Sequence, residues 1–172
     1  DTKQWDPGKA QAMIEAGVRN LELDVGYRSL NGLFYVSHDR NADHIPVSEL
    51  GPRELTAVLR DFRFAELGLN PHFDIKFAAG SQTDRLFAAT LNSLPASLKI
   101  TLSGQDWAQL EQLSANARVR LTLFTIDRQA SIELFVARSA ALHRAISGKV
   151  GVSLRSDLAT KRNLATLSGH TD

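Results

Sequence analysis

Cysteine is absent from all 172 residues, which excludes disulfides and thiolate metal sites without fixing a compartment. No apolar run approaches the ~18 residues a membrane-crossing helix requires, so such a helix is excluded within this stretch. No signal peptide is visible, and the first residue is Asp1 rather than Met, which leads us to expect a processed or truncated N-terminus. Neither sign of charge dominates. With 20 basic and 19 acidic residues the net charge is +1, and there is no electrostatic case for nucleic acid or an anionic membrane as partner. No glycine-rich phosphate loop follows any expected strand, which weighs against a nucleotide-binding doubly wound sheet. No G-x-S-x-G surrounds Ser37, so nothing marks it as a nucleophile.

What is present is the composition of an ordinary globular chain, 43% hydrophobic and 23% charged, and we read residues 1–172 as a single domain. Asp6-Pro7 is a good helix start, Ala10, Met13, Ile14 and Val18 recur at helical spacing, and Gly17 offers a stop. A strand over 20–25 follows. Residues 27–30 and 33–37 read as a hairpin around a two-residue Asn31-Gly32 turn, with His38-Asp39 at the end of its second arm. Pro52 opens a helix carrying Leu55, Val58 and Leu59, and a second alternating strand runs over 72–77. Helices are then expected over 82–91, around Trp107 to Leu113, over 130–145 and over 157–167. Strands over 98–102, 119–125 and 149–154 alternate with them. Strands alternating with helices imply parallel βαβ units. The fold class expected is α/β, either doubly wound or an incomplete (β/α)₈ barrel, since a closed barrel usually needs ~250 residues, or ~200 at the least.

The chemistry lies in the strand parity. In the first strand Leu21, Leu23 and Val25 point one way, and Glu22 and Asp24 the other. In the second, Phe73, Ile75 and Phe77 share a face, and His72, Asp74 and Lys76 the opposite one. Like charges gathered on one face gain nothing without a counter-charge. Glu22, Asp24 and Asp74 are therefore candidate ligands for Mg²⁺ or Ca²⁺, which prefer oxygen donors. His38, beside Asp39 at a strand end, is the candidate general acid or base. Lys76 could hold a phosphate oxygen, or pair with Asp74 as an interior lysine, or do both. His72 is read as structural, Arg53, Arg60 and Arg63 as a solvated helix face, and Arg118, Arg120 and Arg155 as ordinary surface arginines.

The run Ala16-Gly17-Val18-Arg19-Asn20-Leu21-Glu22-Leu23-Asp24-Val25, then Asn31-Gly32 and Val36-Ser37-His38-Asp39, resembles the glycerophosphodiester phosphodiesterase family. That family has a helix ending in A-G, an E-x-D-V strand, a D-G-like turn and a V-x-H-D. Asp74-Ile75-Lys76 matches its acid-x-lysine strand, with Asp where Glu is usual, as in the related sphingomyelinase D-like phospholipases. The likeness is specific over 16–39, moderate over 73–77 and only rhythmic beyond. It implies a (β/α)₈ barrel lacking its first and last strands in this stretch, a divalent cation, and cleavage of a phosphodiester in a glycerophosphodiester or lysolipid-type substrate. Carried over by position, Glu22, Asp24 and Asp74 would hold the metal, His38 would be an acid/base, and Lys76 would contact phosphate. The family's other catalytic histidine lies in an H-R-G motif ahead of the first helix. The stretch alone is therefore expected to be weak or inactive as an enzyme.

Overall fold

The structure, a computed structural model, describes residues 6–39 and 41–172, so the expected N-terminal processing at Asp1 lies outside the described residues. α1 (Pro7–Glu15) starts as the sequence indicates. The Asp6 carboxylate accepts the Lys9 N–H at 3.0 Å, and Pro7 takes the first turn, where a missing N–H costs no hydrogen bond. Gly17, at φ 91°, turns the chain out of the helix.

β1 (Asn20–Arg28) runs three residues beyond the expected end at Val25. Gly26 does not interrupt it. Its bare Cα instead lets another segment cross close by, for a Cβ there would stand 2.4 Å from the Asp39 carbonyl oxygen. β2 (Leu33–Val36) pairs antiparallel with β1, Val25 opposite Val36 and Arg28 opposite Leu33. The turn therefore spans residues 29–32, four residues where two were expected. Asp43 explains the difference by drawing Ser29 and Leu30 out of the ladder: its carboxylate accepts both their N–H groups and the Ser29 hydroxyl.

α2 (Val47–Leu50) and a 3₁₀ turn at Gly51–Arg53 precede α3 (Leu55–Asp61). Pro52 thus falls in the 3₁₀ turn, and α3 starts after Glu54, whose side chain accepts the Thr56 and Ala57 N–H groups. α4 (Phe64–Leu67), β3 (Asn70–Ile75), α5 (Ser81–Ser93), β4 (Thr101–Gly104) and α6 (Trp107–Asn116) follow. β5 (Leu121–Ile126), α7 (Gln129–Ala145), β6 (Lys149–Leu154), a 3₁₀ turn at Ser156–Leu158 and α8 (Lys161–Ser168) complete the order. β4 begins later than the expected residue 98, because Leu98 first closes a turn onto the Pro95 carbonyl.

These elements form a mixed α/β structure around one six-stranded, mostly parallel sheet of order β2-β1-β3-β4-β5-β6. Only β2 is antiparallel. The main core joins one face of the sheet (Leu23, Val25, Phe73, Leu102, Phe124, Val150) to apolar side chains from the helices, among them Phe87, Leu91, Leu110, Phe135 and Leu142. Phe34, Phe77 and Phe87 meet there with ring centres 4.7–5.2 Å apart. The opposite face carries Glu22, Asp24, His72 and Asp74, none of them buried. A smaller cluster of Tyr35, Ala42, Ile45 and Leu50 lies apart from the main core. No helix among the described residues is long and apolar enough to cross a membrane.

Candidate active site

Parallel pairing sets Glu22 opposite His72 and Asp24 opposite Asp74, and the next pair sets Asp74 opposite Ser103. Because alternate residues share a face, this register gathers their side chains at one end of the sheet. Glu22, Asp24 and Asp74 each offer a carboxylate oxygen, and the three oxygens lie within 4.8 Å of one another. Oxygen ligands stand ~2.0–2.6 Å from Mg²⁺ or Ca²⁺, so one ion of either kind is within reach of this spacing, the larger more easily. The donor set is all oxygen, as those ions prefer, and a cation already rests in it. The Lys76 ammonium donates to the Asp74 carboxylate and stands 3.3 Å from Asp24 Oδ1. Burial works against that charge, but Asp74 and then Asp24 outweigh it and hold the Lys76 pKa above the ordinary lysine value.

The structure brings two further groups into the cluster. The Ser103 hydroxyl donates to Asp74 Oδ1 at 2.9 Å, which leaves its oxygen to accept from His72 Nε2 at 2.8 Å. The other ring nitrogen of His72 faces Glu22 Oε2 at 3.4 Å. The relay Glu22–His72–Ser103–Asp74–Lys76–Asp24 thus links all three carboxylates. His72 contacts the cluster as a positioning side chain, on the face that its parity with Asp74 indicated in the sequence. Ser103 had no such signal, since only the register of β4 against β3 places it.

His38 is exposed and lines the same cleft of about 490 Å³ as Glu22, Asp74 and Lys76. Its placement follows from the turn that carries it. The Ser37 N–H donates to the Asp24 carbonyl, and the Ser37 hydroxyl is buried and accepts the Asp39 N–H at 3.1 Å. Ser37 is therefore a turn residue. Asp39 points to His44 at 3.5 Å. The far wall of the cleft comes from Gln105, Asp106, Gln109 and Thr125. Gln109 is fixed from behind, donating to the buried Asp84 carboxylate at 2.7 Å, which also accepts the Gly80 N–H.

The expected helix face of arginines does not form, since Arg60 alone lies on α3, Arg53 is half-buried in the 3₁₀ turn and Arg63, at φ 53°, stands between α3 and α4. Arg60 pairs with Asp61, Arg63 with Glu66 and Arg155 with Asp157, while Arg118 donates to the Leu94 and Pro95 carbonyls. A search of protein-family models finds no match to the chain, and a search of curated proteins finds no significant relative.

Proposed function

We propose that the protein is a metal-dependent phosphodiester hydrolase of the glycerophosphodiester type, built on an arc of a (β/α)₈ barrel. One observation carries the reading: three carboxylates are spaced for a single cation, and two of them, Glu22 and Asp74, line a cleft with an exposed histidine and a lysine. The barrel arc is supported by sequential parallel strands and by a main core on one face of the sheet to which α1 and α3–α8 contribute, only Leu50 of the short α2 joining Tyr35 on the other face. A doubly wound sheet carries helices on both faces.

In this reading Glu22, Asp24 and Asp74 hold Mg²⁺ or Ca²⁺, which supplies charge stabilisation at the phosphoryl oxygens. Asp74 is kept in orientation by Ser103, and Ser103 by His72. Water or a hydroxyl of the substrate attacks phosphorus, its proton passing to a second base that the family resemblance places in the H-R-G motif. The P–O bond to the leaving alcohol breaks, and His38, exposed at the cleft, gives that alcohol its proton. Lys76 moves from the two aspartates to a non-bridging oxygen of the substrate, where its charge offsets the charge that develops.

Calorimetric titration with Ca²⁺ and with Mg²⁺ tests the cradle directly. The expected result is one ion per chain, lost in Glu22→Gln and in Asp74→Asn with the circular dichroism unchanged. Hydrolysis of glycerophosphocholine, however slow, should require that ion and fall by about 10²–10⁴-fold in His38→Ala. Failure of the wild type to bind either ion, or undiminished binding by Glu22→Gln, would falsify the reading. Choline release from lysophosphatidylcholine or sphingomyelin, with none from glycerophosphocholine, identifies a sphingomyelinase D-like specificity instead. Phosphate-ester binding without turnover identifies a non-catalytic barrel.

A further inference from the structure

One wall group of the cleft is buried and yet not fully used. Gln109, in the first turn of α6, is 4% exposed, and it still lines the cleft together with Asp74 and Lys76. It is held at both ends. Its backbone N–H donates to the Asp106 carboxylate at 3.1 Å, and its Nε2 donates to the Asp84 carboxylate at 2.7 Å. Asp84 is itself buried in the first turn of α5, where its second oxygen accepts the Gly80 N–H at 3.2 Å.

A carboxylate only accepts, so the amide has to turn its nitrogen toward Asp84, and that settles where Oε1 stands. Among the described residues Oε1 accepts from nothing. Nor is it shut in, for the one enclosed side-chain nitrogen or oxygen left without a partner among those residues is Nε of Arg28. The opening that Gln109 lines is the cleft. An oriented carbonyl oxygen at a cleft wall is an acceptor for whatever donor a ligand brings.

We infer that Gln109 is a specificity-determining residue that accepts a hydrogen bond from a hydroxyl on the glycerol end of the phosphodiester, with Asp84 as the positioning residue behind it. This rests on the hydrolase reading, in which the cradle ion holds the phosphate in the same cleft. The acceptor tells the two ends of a substrate such as glycerophosphocholine apart. A neutral amide oxygen pairs with an O–H, and a quaternary ammonium has no N–H to offer it. Because Asp84 fixes the amide before the ligand arrives, no rotamer has to be frozen on binding. A staple between α5 and α6 needs only the Nε2 contact and confers no preference for hydroxyls.

Calorimetric binding of glycerol 3-phosphate and of n-propyl phosphate, the same phosphate without hydroxyls, tests the inference on protein loaded with Ca²⁺ or Mg²⁺. The wild type should bind glycerol 3-phosphate about three- to tenfold more tightly. Gln109→Met should lose that preference by weakening glycerol 3-phosphate to the level of propyl phosphate, with the affinity for the ion unchanged. In the wild type the side-chain amide resonances of Gln109 should move with glycerol 3-phosphate and stay in place with propyl phosphate, which decides the matter even where the variant does not fold. Equal affinities in the wild type, a preference kept by Gln109→Met, or amide resonances indifferent to glycerol 3-phosphate overturn the inference. The ion titration keeps two failures apart. A protein that binds no ion loses the hydrolase reading and this inference together, whereas one that binds the ion and shows no hydroxyl preference loses this inference alone.

Discussion

Replacing Lys76 by Met should tighten divalent-cation binding while impairing any hydrolysis. In the free protein the Lys76 ammonium rests between Asp24 and Asp74, so a metal ion entering the cradle has to displace it. At 3.3 Å and an effective dielectric near 20, the Asp24 contact alone is a gross attraction of about 5 kcal/mol. Desolvation of the lysine and the partial exposure of all three side chains reduce this. Hydrogen bonds to charged groups retain about 1.5–3 kcal/mol on measurement. Met has nearly the same length and no charge, so removing the competitor should lower Kd by that amount, about tenfold to a hundredfold. The titration belongs at neutral pH. A lysine pKa raised by its carboxylate partners leaves the pair intact below the ordinary lysine range and dissolves it only as pH climbs through the raised value. Calorimetry on wild type and variant reads the difference directly, with one ion per chain in both. An unchanged or weaker Kd in Lys76→Met means that the ammonium and the metal do not share the cradle, and the argument from competition fails.

Two other perturbations test the surroundings of the site. Gly26→Ala sets a methyl 2.4 Å from the Asp39 carbonyl and forces the 37–39 crossing outward. It should cost about 1–3 kcal/mol, read as a drop of several degrees in Tm, and should displace His38 enough to impair turnover without affecting metal affinity. For Asp43, the Ser29 hydroxyl and then the Leu30 and Ser29 N–H groups hold the carboxyl below its ordinary pKa, with burial opposing them. Its support of the hairpin should be complete above the ordinary carboxylate range and fade as pH falls through the lowered value. Amide exchange at Ser29 and Leu30 should show that acid dependence in the wild type and lack it in Asp43→Ala.

Strand parity made part of the site legible from the chain alone. Glu22, Asp24, Asp74 and Lys76 alternate against runs of buried hydrophobes, and alternation is a local property that survives into the fold. Gathering them needed only that β1 and β3 pair in register, which the structure provides with Asp24 opposite Asp74. Ser103 was illegible because a serine in Thr101-Leu102-Ser103-Gly104 carries no pattern until β4 is aligned with β3. The true length of β1 was hidden by Gly26, which reads as a break. The strand passes through it because the missing side chain makes room for Asp39. The four-residue hairpin turn depends on Asp43, eleven positions beyond Gly32, and turn rules read only the residues between the strands.

The candidate ligands, proton donor and lysine all lie between residues 22 and 76, whereas Gln105, Gln109 and Thr125 on the far wall belong to the later units of the chain. This division matters for how such a protein can diverge. Mutations in the β4–α6–β5 stretch can reshape what the cleft admits while the cradle is untouched, save through Ser103. Changes before residue 77 alter the cradle itself. A lineage that explores new substrates therefore has a tolerant half in which to vary and a constrained half to preserve, joined by a single hydroxyl.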